Sequence, residues 1–138
     1  MDYTSFSKDD FDAFRANDRP GPIQMLNLVK LRDRADYPDG RDATGAEAYA
    51  AYGQQSHPVF LRVGGRIIWR GQMEQMVIGP KDKAWDLCFI AEYPEPQAFI
   101  DMLKDPEYRT AMAHRQAAVV DSRLIRLAPL SAGDDFSS

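Results

Sequence analysis

Hydrophobic positions recur along this chain with two periods, and the switches between them mark out its elements. From Pro22 to Leu31 they alternate. Ile23, Met25, Asn27, Val29 and Leu31 form one row, which predicts a strand whose apolar face is interrupted by a single amide. From Ala48 to Val63 apolar residues fall three and four apart, with Tyr49 and Tyr52 sharing a face, which predicts a helix. Thr44 and Glu47 stand at capping-box spacing at its start, and Pro58, having no N–H to donate, predicts a kink or restart near Ser56 and His57. Gly64-Gly65 suits a left-handed helix end. Alternation then resumes to Met73, with Arg66, Ile68, Arg70 and Gln72 on one face and Ile67, Trp69, Gly71 and Met73 on the other. The missing side chain at Gly71 leaves space beside Trp69.

Gly79 to Lys83 reads as a polar turn, after which Trp85, Leu87, Phe89, Ala91 and Tyr93 alternate with Asp86, Cys88, Ile90 and Glu92. Two strands with only a turn between them predict an antiparallel hairpin. Pro94-Glu95-Pro96 opens a second helix with Ala98, Phe99, Met102 and Leu103 on its apolar face. Asp105-Pro106-Glu107 restarts it at a new angle, and Tyr108, Ala111, Met112, Arg115, Ala118 and Val119 continue the stripe. Asp121 to Leu127 forms the last strand. At the other end, Ser7 caps a short helix with acids in its first turn and Phe6 placed to staple onto Phe11. Arg32 to Ala43 is a charged loop, with a turn at Tyr37-Pro38-Asp39-Gly40, of a length suited to covering a cavity mouth.

Strand, helix, strand, strand, helix, strand is the βαββαβ order of a ferredoxin-like α+β fold, an antiparallel sheet with both helices on one face. The division expected is a helical appendage at 1–21, the α+β domain at 22–130 and a flexible tail at 131–138. Each strand has substantial apolar character on both rows, so the second sheet face needs a cover, and the chain has no helix left to supply one beyond the short N-terminal one. A second copy packed sheet to sheet about a two-fold axis meets that need, which predicts a homodimer approaching a barrel.

Charge and composition narrow the partners. With 138 residues, 44% hydrophobic and 28% charged, the chain has the composition of one globular domain. A net charge of −4 opposes a nucleic-acid partner, whose phosphates call for a basic surface. The single cysteine, Cys88, lies in an apolar run and reads as an inert packed thiol. No apolar run approaches the roughly 20 residues of a membrane span and no signal peptide is visible, so the expected location is cytoplasmic. With two histidines and no ligand-like spacing, a protein-held zinc or iron site is not expected; a single axial histidine still suits haem, and flavin stays open.

The chain also resembles a known family. Met-Leu-Asn-Leu at 25–28, Ala-Tyr-Ala-Ala-Tyr at 48–52, Gly-Gly-Arg-Ile-Ile-Trp-Arg-Gly at 64–71, Trp-Asp at 85–86, Asp-Pro-Glu-Tyr at 105–108, His-Arg at 114–115 and Asp-Ser-Arg-Leu at 121–124 together resemble family 1330 of the domains of unknown function. The resemblance implies the dimeric α+β barrel superfamily but no activity, because similar folds serve cofactor-free oxygenases, haem-degrading enzymes, isomerases and effector-binding domains.

Two functional readings follow. In the first, a cofactor-independent oxygenase or isomerase acts on a small anionic or aromatic molecule. Asn27, Tyr49, Tyr52, His57 and His114 supply acid–base and oxyanion chemistry, while Arg66, Trp69, Trp85, Arg115 and Arg123 bind the ligand. In the second, a non-catalytic binding or stress-related module or a structural homodimer, the same groups hold a ligand without turnover or only support the dimer, with Arg66–Asp86 and Arg123–Asp121 as plain ion pairs.

Overall fold

The structure, a computed structural model, describes residues 2–137; Met1 and Ser138, the outer ends of the expected appendage and tail, lie outside the described residues. The elements are α1 (Lys8–Ala16), β1 (Ile23–Leu31), α2 (Gly45–Arg62), β2 (Arg66–Gly71), β3 (Leu87–Tyr93), α3 (Pro96–Lys104), α4 (Pro106–Ala118) and β4 (Val119–Leu127). The four strands form one antiparallel sheet in the order β2-β3-β1-β4, which is the ferredoxin-like arrangement.

Local chemistry explains most boundaries. Ser7 and Asp10 close a capping box on α1, Thr44 and Glu47 close one on α2, and Asp105 caps α4 by accepting from the Glu107 amide. The α2 helix runs unbroken through Pro58, so the expected restart is absent. Gly64 takes φ +86 beyond the helix end, and a Cβ at Gly65 would strike the Phe60 ring, so the two glycines serve different needs.

Two expectations about the hairpin are corrected. Its strands are joined by residues 72–86 rather than by a turn alone, and Trp85 precedes β3. Strict alternation also fails in β2. The register pairs Ile67 with Ala91 but Trp69 with Ile90, leaving Ile68 as an unpaired bulge. Ile67 therefore faces the helices, while Trp69 joins Arg66 on the far face. Trp69 lies over Gly71, where a Cβ would come within 2.8 Å of its ring.

Beneath the helices lie two apolar clusters. One gathers Ile23, Met25, Val59, Ala91, Tyr93, Phe99, Met102 and Tyr108; the other gathers Val29, Tyr37, Ala48, Ala117, Ala118 and Val119. Tyr37 belongs to the second because the charged loop folds back on α4, with Asp36 N–H donating to the Ala117 carbonyl. That loop covers this second cluster.

On the sheet's other face, the register places Trp69, Ile90, Leu26 and Ile125 side by side across all four strands. Trp69 is 49% and Ile125 44% exposed in the single chain.

Candidate functional site

Between the sheet's inner face, the helices and the N-terminal segment lies a cavity of about 980 Å³. Its apolar wall includes Met25, Phe60, Phe89, Phe99, Met102 and Met112, and its floor carries Asn27 and Leu124 from β1 and β4. Four tyrosines, Tyr49, Tyr52, Tyr93 and Tyr108, line it from α2, β3 and α4. Their grouping follows from helical spacing. Tyr49 and Tyr52 stand one turn apart with ring centroids 5.3 Å apart, and the Tyr52 hydroxyl meets that of Tyr108 at 2.8 Å.

Burial pushes all four hydroxyls above the ordinary tyrosine value, so they remain protonated at neutral pH. The Arg115 charge pulls Tyr49, Tyr52 and Tyr108 the other way without overcoming burial. A neutral hydroxyl beside a guanidinium is a donor toward negative charge rather than a base.

Arg115 projects from α4 into the cavity wall, donating to the Thr4 carbonyl at 2.8 Å and to Ser122 Oγ at 3.5 Å. Arg126, which sequence reasoning missed, donates to the Phe14 and Asn17 carbonyls at 3.1 and 3.0 Å, with its guanidinium over the Phe14 ring. Neither has a carboxylate partner among the described residues. Its signal was available in the alternation of β4, where Arg126 shares the row of Leu124 and Ser122. Burial and the nearby Arg19 charge hold the Arg126 guanidinium below its ordinary value.

The structure brings together Asn27, Tyr49, Tyr52, His57, Arg66, Arg115 and Arg123 on the cavity wall. Asn27 donates to the Met25 carbonyl at 3.0 Å, and His57 is exposed on α2. Three other expected residues lie elsewhere. His114 is bonded to the Tyr37 hydroxyl at 2.6 Å, on the side of the second apolar cluster. Trp69 is turned away by the β2 bulge. Trp85 stacks under the Arg123 guanidinium, whose carbon is 5.3 Å from the ring centroid. The ion pair expected between Arg66 and Asp86 is also replaced: Arg66 bonds Glu92 at 2.7 Å, and Asp86 accepts from the Leu31 amide. Cys88 is half-buried on the outer face, where burial pushes its thiol up and disfavours the reactive thiolate.

Beside the cavity, buried Asp121 bonds Lys83 at 3.1 Å, Arg123 at 2.7 Å and the amides of Tyr3 and Ser122 at 2.8 and 2.9 Å. Burial alone would raise its carboxyl, but these donors outweigh burial and hold it well below the ordinary value. A depressed folded value means the stabilisation is present above the unfolded pKa, about 4, and lost as pH falls below it. The melting-temperature gap between wild type and Asp121→Asn is therefore expected to be widest at pH 7 and to narrow below about pH 4, as thermal unfolding across pH would record. A gap that widens on acidification contradicts this account of the cluster.

Among the described residues, no three His, Cys, Asp or Glu side chains are grouped to hold a metal ion, and no helix is long and apolar enough to cross a membrane.

Comparison with known proteins gives a family and a fold. Residues 41–127 match the family described as "Domain of unknown function (DUF1330)"; the resembling motif at 25–28 lies before that match. The RPA0582 protein of unknown function from Rhodopseudomonas palustris is 61% identical over 96% of this chain and 100% of that one, with a TM-score of 0.93. The crystal structure of methylated RPA0582 protein gives 62% identity over 96% and 98%, with a TM-score of 0.95. SnoaB, a cofactor-independent oxygenase from Streptomyces nogalater, is 14% identical over 86% and 99%, with a TM-score of 0.50, a likeness of fold alone. No curated protein matches the chain.

Proposed function

The chain belongs to the DUF1330 family of unknown function, and from that premise we propose that it forms a homodimer that binds a small aromatic organic acid or enol in this cavity and acts on it as a cofactor-independent oxygenase or isomerase. The observation that carries this reading is the sign of charge inside the cavity. The chain's net charge is −4, yet beside Arg66 and Arg123, which are paired with Glu92 and Asp121, the wall holds Arg115 and Arg126 with no carboxylate partner among the described residues, against the single acid Asp10. Such a wall in an acidic protein selects anions. The rings of Tyr49, Tyr52, Phe60 and Phe99 suit a planar apolar body behind the charged group.

The chemistry follows from the placement. Arg115 and the protonated tyrosine hydroxyls hold negative charge as it develops on the ligand, and His57 at the wall is the imidazole available to take a proton. Returning that proton to another carbon isomerises the ligand. Passing an electron from the resulting carbanion to dioxygen begins oxygenation. SnoaB adds support only at the level of fold. A non-catalytic binding module is the second reading, favoured by the commitment of His114 to Tyr37 and by the position of both tryptophans outside the cavity.

Native mass spectrometry of protein purified without added ligand is expected to give twice the 15.6 kDa chain mass with a retained organic acid. That acid and its phenolic analogues are then tested for oxygen uptake and for solvent deuterium incorporation. Turnover by either readout, lost in His57→Ala with binding intact, supports the enzyme. Binding without turnover supports the module. Absence of any organic-acid binding overturns both.

A further inference from the structure

Arg115 is the cation best placed to hold a ligand's anion, yet in this structure its short hydrogen bond goes to the backbone of the chain's own N-terminus. We propose that Tyr3 to Ser7 form a displaceable strap occupying the cavity's anion position, and that an organic acid reaches Arg115 by displacing the Thr4 carbonyl. The inference rests on the anion-binding reading of the cavity and concerns how access to it is regulated.

The strap has one firm end and one light end. At the firm end, α1 is anchored by Phe14 against Phe99, with centroids 5.1 Å apart, and by Arg126 on the Phe14 and Asn17 carbonyls. At the light end Tyr3 is 50% exposed, so little apolar burial holds it, while Phe6, beside the pivot, keeps its ring stacked on Phe11 with centroids 6.1 Å apart. What fastens this end is a short set of polar contacts. Tyr3 N–H donates to Asp121 at 2.8 Å, Ser122 Oγ donates to the Tyr3 carbonyl at 2.8 Å, and the Tyr3 ring lies under Arg123 at 4.8 Å.

Chemistry favours exchange at Arg115. Among the described residues the guanidinium has two neutral acceptors, a carbonyl and a more distant hydroxyl, and no carboxylate. A ligand carboxylate offers a charge-assisted pair of hydrogen bonds in their place, roughly twice as strong as neutral ones. Thr4, once released, is exposed and its carbonyl is satisfied by water. Ser7, the N-cap of α1, is the natural pivot, because the helix beyond it stays anchored.

The sign of a mutational effect tests this. A wall residue that only shapes the cavity weakens binding when it is truncated, whereas a strap fastener competes with the ligand, so its loss strengthens binding. Calorimetric titration with 2-naphthoate, an aromatic carboxylate, is therefore expected to show Ser122→Ala and Tyr3→Ala binding about 3- to 10-fold more tightly than wild type. Hydrogen exchange at the Tyr3 amide, which donates to Asp121, is expected to quicken on binding 2-naphthoate and to stay unchanged with neutral 2-naphthylmethanol. Variants that bind 2-naphthoate as well as or less well than wild type, or exchange that slows on binding, overturn the strap while leaving the anion site standing. Failure of wild type and both variants to bind 2-naphthoate overturns the strap together with the anion site. Binding by the loosened variants alone supports both.

Discussion

Replacing Arg115 with leucine is expected to raise the dissociation constant for 2-naphthoate about 10- to 100-fold, the loss associated with removing a charge-assisted hydrogen bond. The fold is expected to survive. Arg115 is half-buried and pairs with no carboxylate among the described residues, so its removal strands no buried charge there, and Thr4 at the other end of its short bond is exposed. Two effects oppose each other in this variant. Losing Arg115 frees the strap, which aids access, but it also removes the anion's principal partner, and the second effect is the larger because that charge is the reason for an acid to enter. Equilibrium titration and circular dichroism together check the expectation. Unchanged affinity removes Arg115 from the site, and unfolding identifies it as a structural partner. The neutral 2-naphthylmethanol is expected to be indifferent to the substitution.

Sedimentation is expected to find wild-type protein at twice its 15.6 kDa chain mass, and Ile125→Arg at the mass of one chain. The row Trp69, Ile90, Leu26 and Ile125 crosses the whole outer face, and among the described residues no helix or further strand packs over it. Two-fold packing of that face places one Ile125 from each copy in the contact, so the substitution brings two charges into an apolar interface. Their desolvation costs several kcal/mol, or a rise of at least about 100-fold in the dimer dissociation constant. Because Ile125 is 44% exposed in the single chain, the monomer's own core is untouched. A wild-type monomer at micromolar concentration would sink the sheet-on-sheet argument.

The fold was legible because its signals are local. Ser7 with Asp10, Thr44 with Glu47, and Asp105 before Pro106 write helix starts directly into the chain, and the structure bears out each start. Alternation through Ile23, Met25 and Val29 placed β1 and its inner face correctly. The candidate site was legible where its residues sit on the inward stripe of a helix or strand, as do Asn27, Tyr49, Tyr52 and Arg115. It was misread at Trp69, because one bulge at Ile68 inverts every later side chain of β2, and a bulge depends on how the partner strand registers. It was misread at His114, because the helix turns that residue toward Tyr37, which a folded-back loop delivers from 77 residues away.

What the sequence by itself determined is the order of elements, their caps and the apolar inner faces, all of which depend on contacts between residues a few positions apart. The tertiary structure alone decided the partners of Arg66, Arg115 and Arg126, whereas the Arg123–Asp121 pair was already legible in the sequence. Arg123 finds Asp121 two residues along its own strand, while Arg115 reaches Thr4 across 111 residues and Arg126 reaches Phe14 across 112. The physical reason is that a guanidinium with no acid at pairing distance along its own helix or strand has no local partner. Its partner is whatever acceptor the packed chain brings within about 3 Å, and for Arg115 and Arg126 the folded N-terminal segment brings it.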